Sequence, residues 1–264
     1  KPFVAKQVFE WVYTKKKLSW DSMANLSKET KRVLETNISL TSHKKIEQKL
    51  SKDNETIKLI ITLEDGAVIE SVILKEKDYY NLCVSSQCGC PVDCKFCVTG
   101  TLGFKRNLTA AEIVEQVLIA NQYAPISHLV FMGMGEPLLN YDNVMTAIDS
   151  LTDPNGFNIS KRKITVSTSG FIKTIDRLIE EERFLNLAFS VGSAIPERRE
   201  PLMPLEKQNP IMKVAERLHH YLSLHNRKLT LEYTLIEGKN DSEKDITALI
   251  HLAKYLRAKI NLIN

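Results

Sequence analysis

All five cysteines of this 264-residue chain lie in one stretch, "CVSSQCGCPVDCKFC", from Cys83 to Cys97. Thiols clustered in this way point to metal binding or catalysis rather than to structural disulfides. Cys90, Cys94 and Cys97 form C-x3-C-x2-C. Three thiolates on one short loop suit three irons of a [4Fe–4S] cluster and leave the fourth iron open to a substrate. Gly89 and Pro91 suit a loop that bends around such a group, and Phe96 can shield it from water. Zinc is the competing reading, because Cys88, Cys90, Cys94 and Cys97 together supply four thiols and C-x2-C is a zinc half-site. The pair Cys88-x-Cys90 is tight for two ligands of one tetrahedral ion, and zinc ribbons separate their pairs by longer stretches, so the spacing favours iron–sulfur.

Two further stretches carry chemistry. In "FMGMGEP" (131–137) the glycines let backbone approach a ligand closely, and Glu136 can accept a hydrogen bond from an ammonium group. "TVSTSG" (165–170) presents hydroxyls fit for a ribose. Alone each is weak, since glycine, serine and threonine often just finish strands. At successive strand ends after the thiol motif they reinforce one another.

The elements that must position these groups alternate. Strand patterns at 81–87, 128–133, 163–169, 185–191, 228–236 and 258–264 are separated by helix patterns at 109–122, 141–151, 171–182, 209–225 and 242–256. A long loop precedes the fourth helix. Six strands and five helices in alternation imply right-handed parallel βαβ units, in an open sheet or a barrel, with the chemistry at the C-terminal ends of the strands. Upstream, "TIKLIITLEDGAVIESVILKE" alternates on both sides of Asp65-Gly66, a hairpin signal. Residues 1–45 carry short helical patterns, with Ser27 as a weak cap and with Trp11 and Trp20 as core residues. The expected division is a helical accessory module over 1–50, a β-hairpin connector over 51–80 and an α/β core over 81–264.

Residues 1–50 hold eleven lysines and arginines, Lys1 among them, against five acids, which gives +6 there and −2 over the rest. A basic end on a near-neutral body suggests a polyanion partner, beside the plainer reading of a solvated lysine-rich surface. No apolar run reaches the ~18 residues of a membrane span, so the expectation is a cytoplasmic protein with no membrane partner. The sequence opens without methionine and stops within a strand pattern, which reads as a piece of a longer protein.

The motifs "KPFVAKQVFEWVY", "CVSSQCGCPVDCKFC", "GFKRNLTAAEIVEQV", "MGMGEPLLNYDNV", "KRKITVSTSG" and "KINLI" span the chain from end to end. With them the chain resembles the radical S-adenosylmethionine (SAM) superfamily, and within it the RlmN/Cfr family of adenosine methyltransferases, nearer to the C2-methylating RlmN branch than to the C8-methylating Cfr branch. The resemblance implies an α/β fold, a partial (β/α)6 TIM-like barrel with a helical N-terminal accessory domain. It implies one [4Fe–4S] cluster held by Cys90, Cys94 and Cys97, whose open iron chelates SAM. Gly135 and Glu136 match the methionyl-binding segment, and Ser167 matches a SAM contact. Ser190, Val191 and Gly192 match another.

In the family scheme a second, C-terminal cysteine is methylated by one SAM, a radical from a second SAM takes hydrogen from that methyl group, and the carbon radical adds to the adenine. Cys83 matches the cysteine that helps resolve the resulting RNA adduct. Glu70 matches a proton acceptor; without the resemblance it reads as a surface strand carboxylate. The implied partners are 23S rRNA, tRNA and an electron donor such as flavodoxin, with the protein acting as a monomer. The basic N-terminal module, and Lys105 and Arg106 in "GFKRN", would serve phosphate contacts.

The chain departs from the family pattern in three places. No cysteine follows Cys97, so the second catalytic cysteine and a later SAM-contact asparagine are expected beyond residue 264. "SVGSA" stands where the family has "SLHA", so Gly192 replaces a histidine. Nothing in the scheme needs Cys88, which reads as a small buried thiol. Two other readings stand beside the C2 enzyme: a C8-methylating homologue, and a degenerate cluster- or zinc-bearing RNA-binding paralogue.

Overall fold

The computed structural model describes residues 2–264; Lys1 lies outside the described residues. In chain order the elements are α1 (Pro2–Phe9), which runs on into a π-helical turn (Glu10–Thr14), α2 (Lys28–Asn37), β1 (His43–Leu50), β2 (Thr56–Leu63), β3 (Val68–Lys75), β4 (Tyr80–Cys83), β5 (Gln87–Gly89), α3 (Val98–Thr101), β6 (Phe104–Asn107), α4 (Ala110–Ala120), β7 (Ile126–Phe131), α5 (Tyr141–Thr152), β8 (Ile164–Thr168), α6 (Ile172–Glu180), β9 (Asn186–Ser190), α7 (Pro196–Leu202), α8 (Ile211–Ser223), β10 (Leu229–Thr234), α9 (Glu243–Leu256) and β11 (Lys259–Ile263). They gather into two compact units. Among the described residues no helix is long and apolar enough to cross a membrane.

The first unit comprises the chain up to Ser85 together with Leu108–Gly133 and Asp142–Lys163. β1 to β4 form an antiparallel meander, and β7 adds to β4 in parallel. Its register puts apolar residues opposite one another, Ile61 against both Ile46 and Ile69, and Leu82 against both Ile73 and Leu129. The period-2 pattern therefore buries Leu59, Ile61, Leu63, Ile69 and Ile73 on one face. α4 lies on that face. It starts from a capping box made by Thr109 and Glu112. Its buried Gln116 accepts from the Ser71 hydroxyl (2.7 Å) and the Ser85 N–H (2.8 Å), and donates to the Ser85 carbonyl (3.0 Å).

The N-terminal helices join this unit through side chains. Tyr13 meets Phe157 edge-on, and Lys16 Nζ donates to Asn121 Oδ1 at 2.9 Å. Trp20, Met23 and Leu26 are buried, and Trp11 Nε1 donates to Asn25. Ser27 does cap α2, accepting from the Thr30 N–H at 3.1 Å.

The second unit comprises Ser86–Asn107, Met134–Tyr141 and Ile164–Asn264. β8, β9, β10 and β11 are parallel neighbours, with Thr168 opposite Phe189, and Leu231 opposite both Phe189 and Ile260. α6 and α8 bury Ile175, Leu178, Val214, Leu218 and Tyr221. The Tyr221 hydroxyl accepts from the Leu185 N–H at the foot of β9 (2.6 Å). β5 and β6 form a separate antiparallel ribbon.

Three expectations change. The strand read over 81–87 stops at Cys83, because Ser85 and Ser86 turn their N–H groups to Gln116 and to the Met134 carbonyl, and Gln87 opens the ribbon. Residues 43–50, read within the helical N-terminal stretch, are strand β1, whose partner β2 supplies the ladder that its charged sequence "HKKIEQKL" does not advertise. The long loop after β9 contains α7, hidden in "PERREPL" because it shows no apolar period, although Pro196 at its first position is a helix-start residue.

Candidate active site

The thiol loop is closed at its base by the ribbon, where Gln87 faces Asn107, Cys88 faces Arg106 and Gly89 faces Phe104. The Cys90 N–H donates to the Gly103 carbonyl (3.2 Å) and the Cys97 N–H to the Cys94 carbonyl (3.0 Å), which folds the loop on itself. Cys90, Cys94 and Phe96 pack against a buried cluster of Val92, Leu202, Met203 and Leu205. Burial pushes the Cys90 thiol up to about 11 and the Cys94 thiol up to about 12, with smaller upward pushes from the neighbouring cysteines and from Glu136. Both are therefore neutral thiols at pH 7.

Among the described residues no three His, Cys, Asp or Glu side chains close into a metal-holding cage. Cys90 and Cys94, half-buried against that apolar cluster and costly there as bare thiolates, are with Cys97 donors that a cluster's iron would satisfy. Cys88 is buried inside the ribbon rather than on the loop, so the fourth thiol of a zinc site is not among the loop's donors.

Glu136 stands beside this loop, fully enclosed. Its Oε2 accepts from the Ser169 N–H (2.7 Å) and its Oε1 from the Leu138 N–H (3.3 Å), while its own N–H donates to Gln87 Oε1 (2.9 Å). Desolvation raises its pKa against these donors. These donors are neutral dipoles, and a cation would stabilise the carboxylate charge further. Gly135 precedes it at φ +101°, and a β-carbon there would lie 2.5 Å from Gln87 Cβ. This glycine thus permits a close approach of the neighbouring chain segment at Gln87.

Ser167 lies on β8 and Ser190 ends β9, both partly exposed. Val191 is buried, and Gly192 follows at φ +68°. Met203 fills the space that a side chain at 192 would need, with Phe96 Cε1 at 3.8 Å, so the family's histidine has no room here. Asn240, enclosed, donates to the Gly192 carbonyl (2.7 Å) and the Thr234 carbonyl (2.8 Å) and so holds this turn.

In the other unit, Cys83 faces Val72 on β3 and Val130 on β7. Burial pushes its thiol up to about 11. Glu70 is half-exposed and pairs with Lys58 Nζ at 2.8 Å across the β2–β3 ladder. The register sets Glu70 and Cys83 on the same face of the β3–β4 pair, one diagonal step apart, roughly 7–8 Å in an antiparallel ladder.

Arg199 and Ser169 were not legible as site residues. Arg199 is fully buried. It donates to the Val191 carbonyl (2.9 Å), the Ser169 carbonyl (2.7 Å) and Glu206 Oε2 (2.5 Å), and Glu206 in turn accepts from the Ile211 N–H that opens α8. In sequence Arg199 is one charge among many in "PERREPL", and Ser169 is the last hydroxyl of a strand. Of the basic residues, Lys105 is exposed on β6, whereas Lys16 is turned inward and Lys15 pairs with Glu10.

A profile of the radical SAM superfamily matches residues 84–250, and one described as the ribosomal RNA large subunit methyltransferase N-terminal domain matches residues 1–40. The chain is 41% identical to a probable dual-specificity RNA methyltransferase RlmN of Aquifex aeolicus, over 99% of this chain and 77% of that one. It is also 41% identical to the protein so described from Staphylococcus saprophyticus, over 99% and 73%. The crystal structure of a radical SAM methyltransferase from Sphaerobacter thermophilus superposes with a TM-score of 0.94 at 37% identity, over 98% of this chain and 78% of that one. The α/β fold is that of the solved methyltransferase. The superfamily works with SAM and a [4Fe–4S] cluster, and its RlmN members act on RNA. This chain belongs to the radical SAM superfamily and, within it, to the RlmN family of RNA methyltransferases.

Proposed function

We propose that the protein methylates C2 of an adenosine in 23S rRNA, and in tRNA, with Cys90, Cys94 and Cys97 holding one [4Fe–4S] cluster per chain. The observation that carries this reading is the meeting of the thiol loop with the enclosed Glu136, whose N–H donates to Gln87 Oε1 at the base of that loop (2.9 Å). The cluster, when bound, supplies the one-electron reduction of SAM that radical methylation needs, drawing on a donor such as flavodoxin. C2 of adenine is not a nucleophile, so direct methyl displacement from SAM fails there. Glu136 accepts from the SAM ammonium in the methionyl segment that it shares with Gly135. Ser167, and the turn Ser190, Val191 and Gly192, bind the rest of SAM; at Gly192 only backbone is offered. The apolar shell of Val92, Phe96 and Met203 excludes water. Glu70 accepts the proton released from the methylated base, and Cys83 resolves the RNA adduct in partnership with a second thiol. Lysines of the N-terminal module, and Lys105, contact RNA phosphates. The protein acts as a monomer.

Anaerobic reconstitution of the full-length protein tests the cluster. The expected result is about four iron and four sulfide per chain. Cys90→Ala, Cys94→Ala and Cys97→Ala each lose them, and Cys88→Ala retains them. Zinc without iron overturns the reading. Digestion and mass analysis of treated 23S rRNA tests the product: 2-methyladenosine supports the proposal, 8-methyladenosine assigns the C8 reaction, and no product from a cluster-loaded protein leaves the RNA-binding paralogue.

A further inference from the structure

Positive charge gathers in the second unit at the N-terminal ends of β10 and β11. Parallel pairing of Thr230 with Lys259 brings those two ends side by side. A cleft of about 510 Å³ opens there. Arg227, Lys228, Arg257 and Lys259 line it, and among the described residues no carboxylate does. The ion pairs of this unit, among the described residues, all involve other cations. Arg227 is held in place: its N–H donates to His225 Nδ1 (3.0 Å) and its Nε to the Phe184 carbonyl (3.1 Å). Neutral His225, which also lines the cleft, therefore carries its hydrogen on Nε2, a buried atom without a partner among the described residues. Arg257 ends α9 at φ 50°, a left-handed position that favours glycine. Cations also complement helix C-termini, and α8 and α9 both end at this cleft, at Ser223 and Leu256. Two termini carry about half a negative charge each, so they offset about one of the four positive charges. The remaining charge has no counterpart in the protein and suits an anion.

We propose that this cleft binds the phosphate backbone of an RNA strand. Its volume takes a nucleotide-sized group rather than a lone ion. The turns assigned to SAM follow the C-terminal ends of β8 and β9, whereas the cleft lies where β10 and β11 begin. A six-residue strand such as β10 separates its two ends by roughly 20 Å. The cleft therefore grips RNA away from the target adenosine. It adds affinity and fixes the path of the strand, and it does not read bases. The proposal rests on RNA being the substrate, not on which adenine carbon is methylated.

The test uses the full-length protein and a 23S rRNA fragment that contains the target adenosine. A triple variant, Lys228→Gln with Arg257→Gly and Lys259→Gln, removes three charges, and glycine suits the backbone at 257. Its plot of log affinity against log salt concentration is expected to be shallower by about 2 to 3, because each lost phosphate contact removes about 0.7–0.9. Lys228→Arg with Arg257→Lys and Lys259→Arg is expected to keep the wild-type slope. In the wild-type protein, RNA is expected to shield Lys228 and Lys259, both exposed, from acetylation read by peptide mass analysis. An unchanged slope in the triple variant overturns the proposal. A fall in slope without shielding of those lysines also overturns it, by assigning the effect to distant charge. Inorganic phosphate that shields both lysines as well as RNA does, at equal phosphate concentration, makes the cleft a small-anion site and overturns it too. Should the triple variant fail to fold, shielding in the wild-type protein decides alone. A wild-type protein that binds no RNA overturns the substrate reading together with this one, whereas bound RNA with an unchanged slope overturns this one alone.

Discussion

Met203 places its sulfur where a β-carbon on Gly192 would have to go. The two residues are therefore one unit of packing, and the glycine also carries a left-handed backbone, φ +68°. Gly192→Ala combines a conformational cost of roughly 1–2 kcal/mol with an overpacking cost of roughly 1–3 kcal/mol. The expected loss in urea denaturation is about 2 kcal/mol or more. In a Met203→Ala background the overpacking part disappears, so the cycle shows coupling of about 1 kcal/mol. Strict additivity would mean that Met203 yields freely and does not fill the site.

The buried Arg199–Glu206 pair makes a second prediction. Arg199→Met leaves Glu206 enclosed without its cation and strips donors from the Val191 and Ser169 carbonyls. Breaking such a pair costs about 3–5 kcal/mol. Glu206→Gln is expected to cost less, because its amide oxygen still accepts from Ile211. If both variants melt within 1 kcal/mol of wild type (about the value of a surface pair), the network is not a structural anchor.

Cys83 titrates in a defined direction. Its thiol rises to about 11 in the folded chain from about 8.5 when unfolded. The stability linked to the neutral thiol is complete below about pH 8.5 and is lost as pH climbs toward 11. Cys83→Ser is expected to remove that part of the alkaline loss in urea melts at pH 7 and pH 10. Alkylation of Cys83, read by peptide mass analysis, should quicken about tenfold per pH unit over pH 7–10. A rate that levels off by pH 8.5 contradicts the burial argument.

Glu70 separates function from stability cleanly. Its pair with Lys58 is half-exposed, so Glu70→Gln should change stability by less than about 1 kcal/mol. As a proton acceptor its loss should lower turnover by about a hundredfold or more. Normal turnover in Glu70→Gln returns it to the role of a strand carboxylate.

The thiol loop, Glu136 and the strand–helix alternation were legible because each leaves a local mark: a spacing, a motif or a period. What was not legible depends on contacts far apart in sequence. Arg199 joins the candidate site only when α7 folds its guanidinium inward to the carbonyls just past β8 and β9. Gly192 read as a lost contact, and only Met203 shows it to be a filled space. The packing of the glycine of "GEP" against Gln87, far away in sequence, shows only in three dimensions. β1 was missed because a charged, edge-like strand takes its structure from β2 rather than from its own pattern.

The ribbon beneath the thiol loop has a consequence for how such a chain can vary. Gly89 faces Phe104, and Gln87 ties Asn107 to Glu136 from the same base. The fourteen residues from Cys90 to Gly103 thus form a ring of fixed circumference. Side chains on its outer rim, such as Val98 and Leu102, are exposed and free to change. A single inserted or deleted residue, however mild, would swing the sulfurs out of phase with one another. Length, more than composition, is what this segment must preserve.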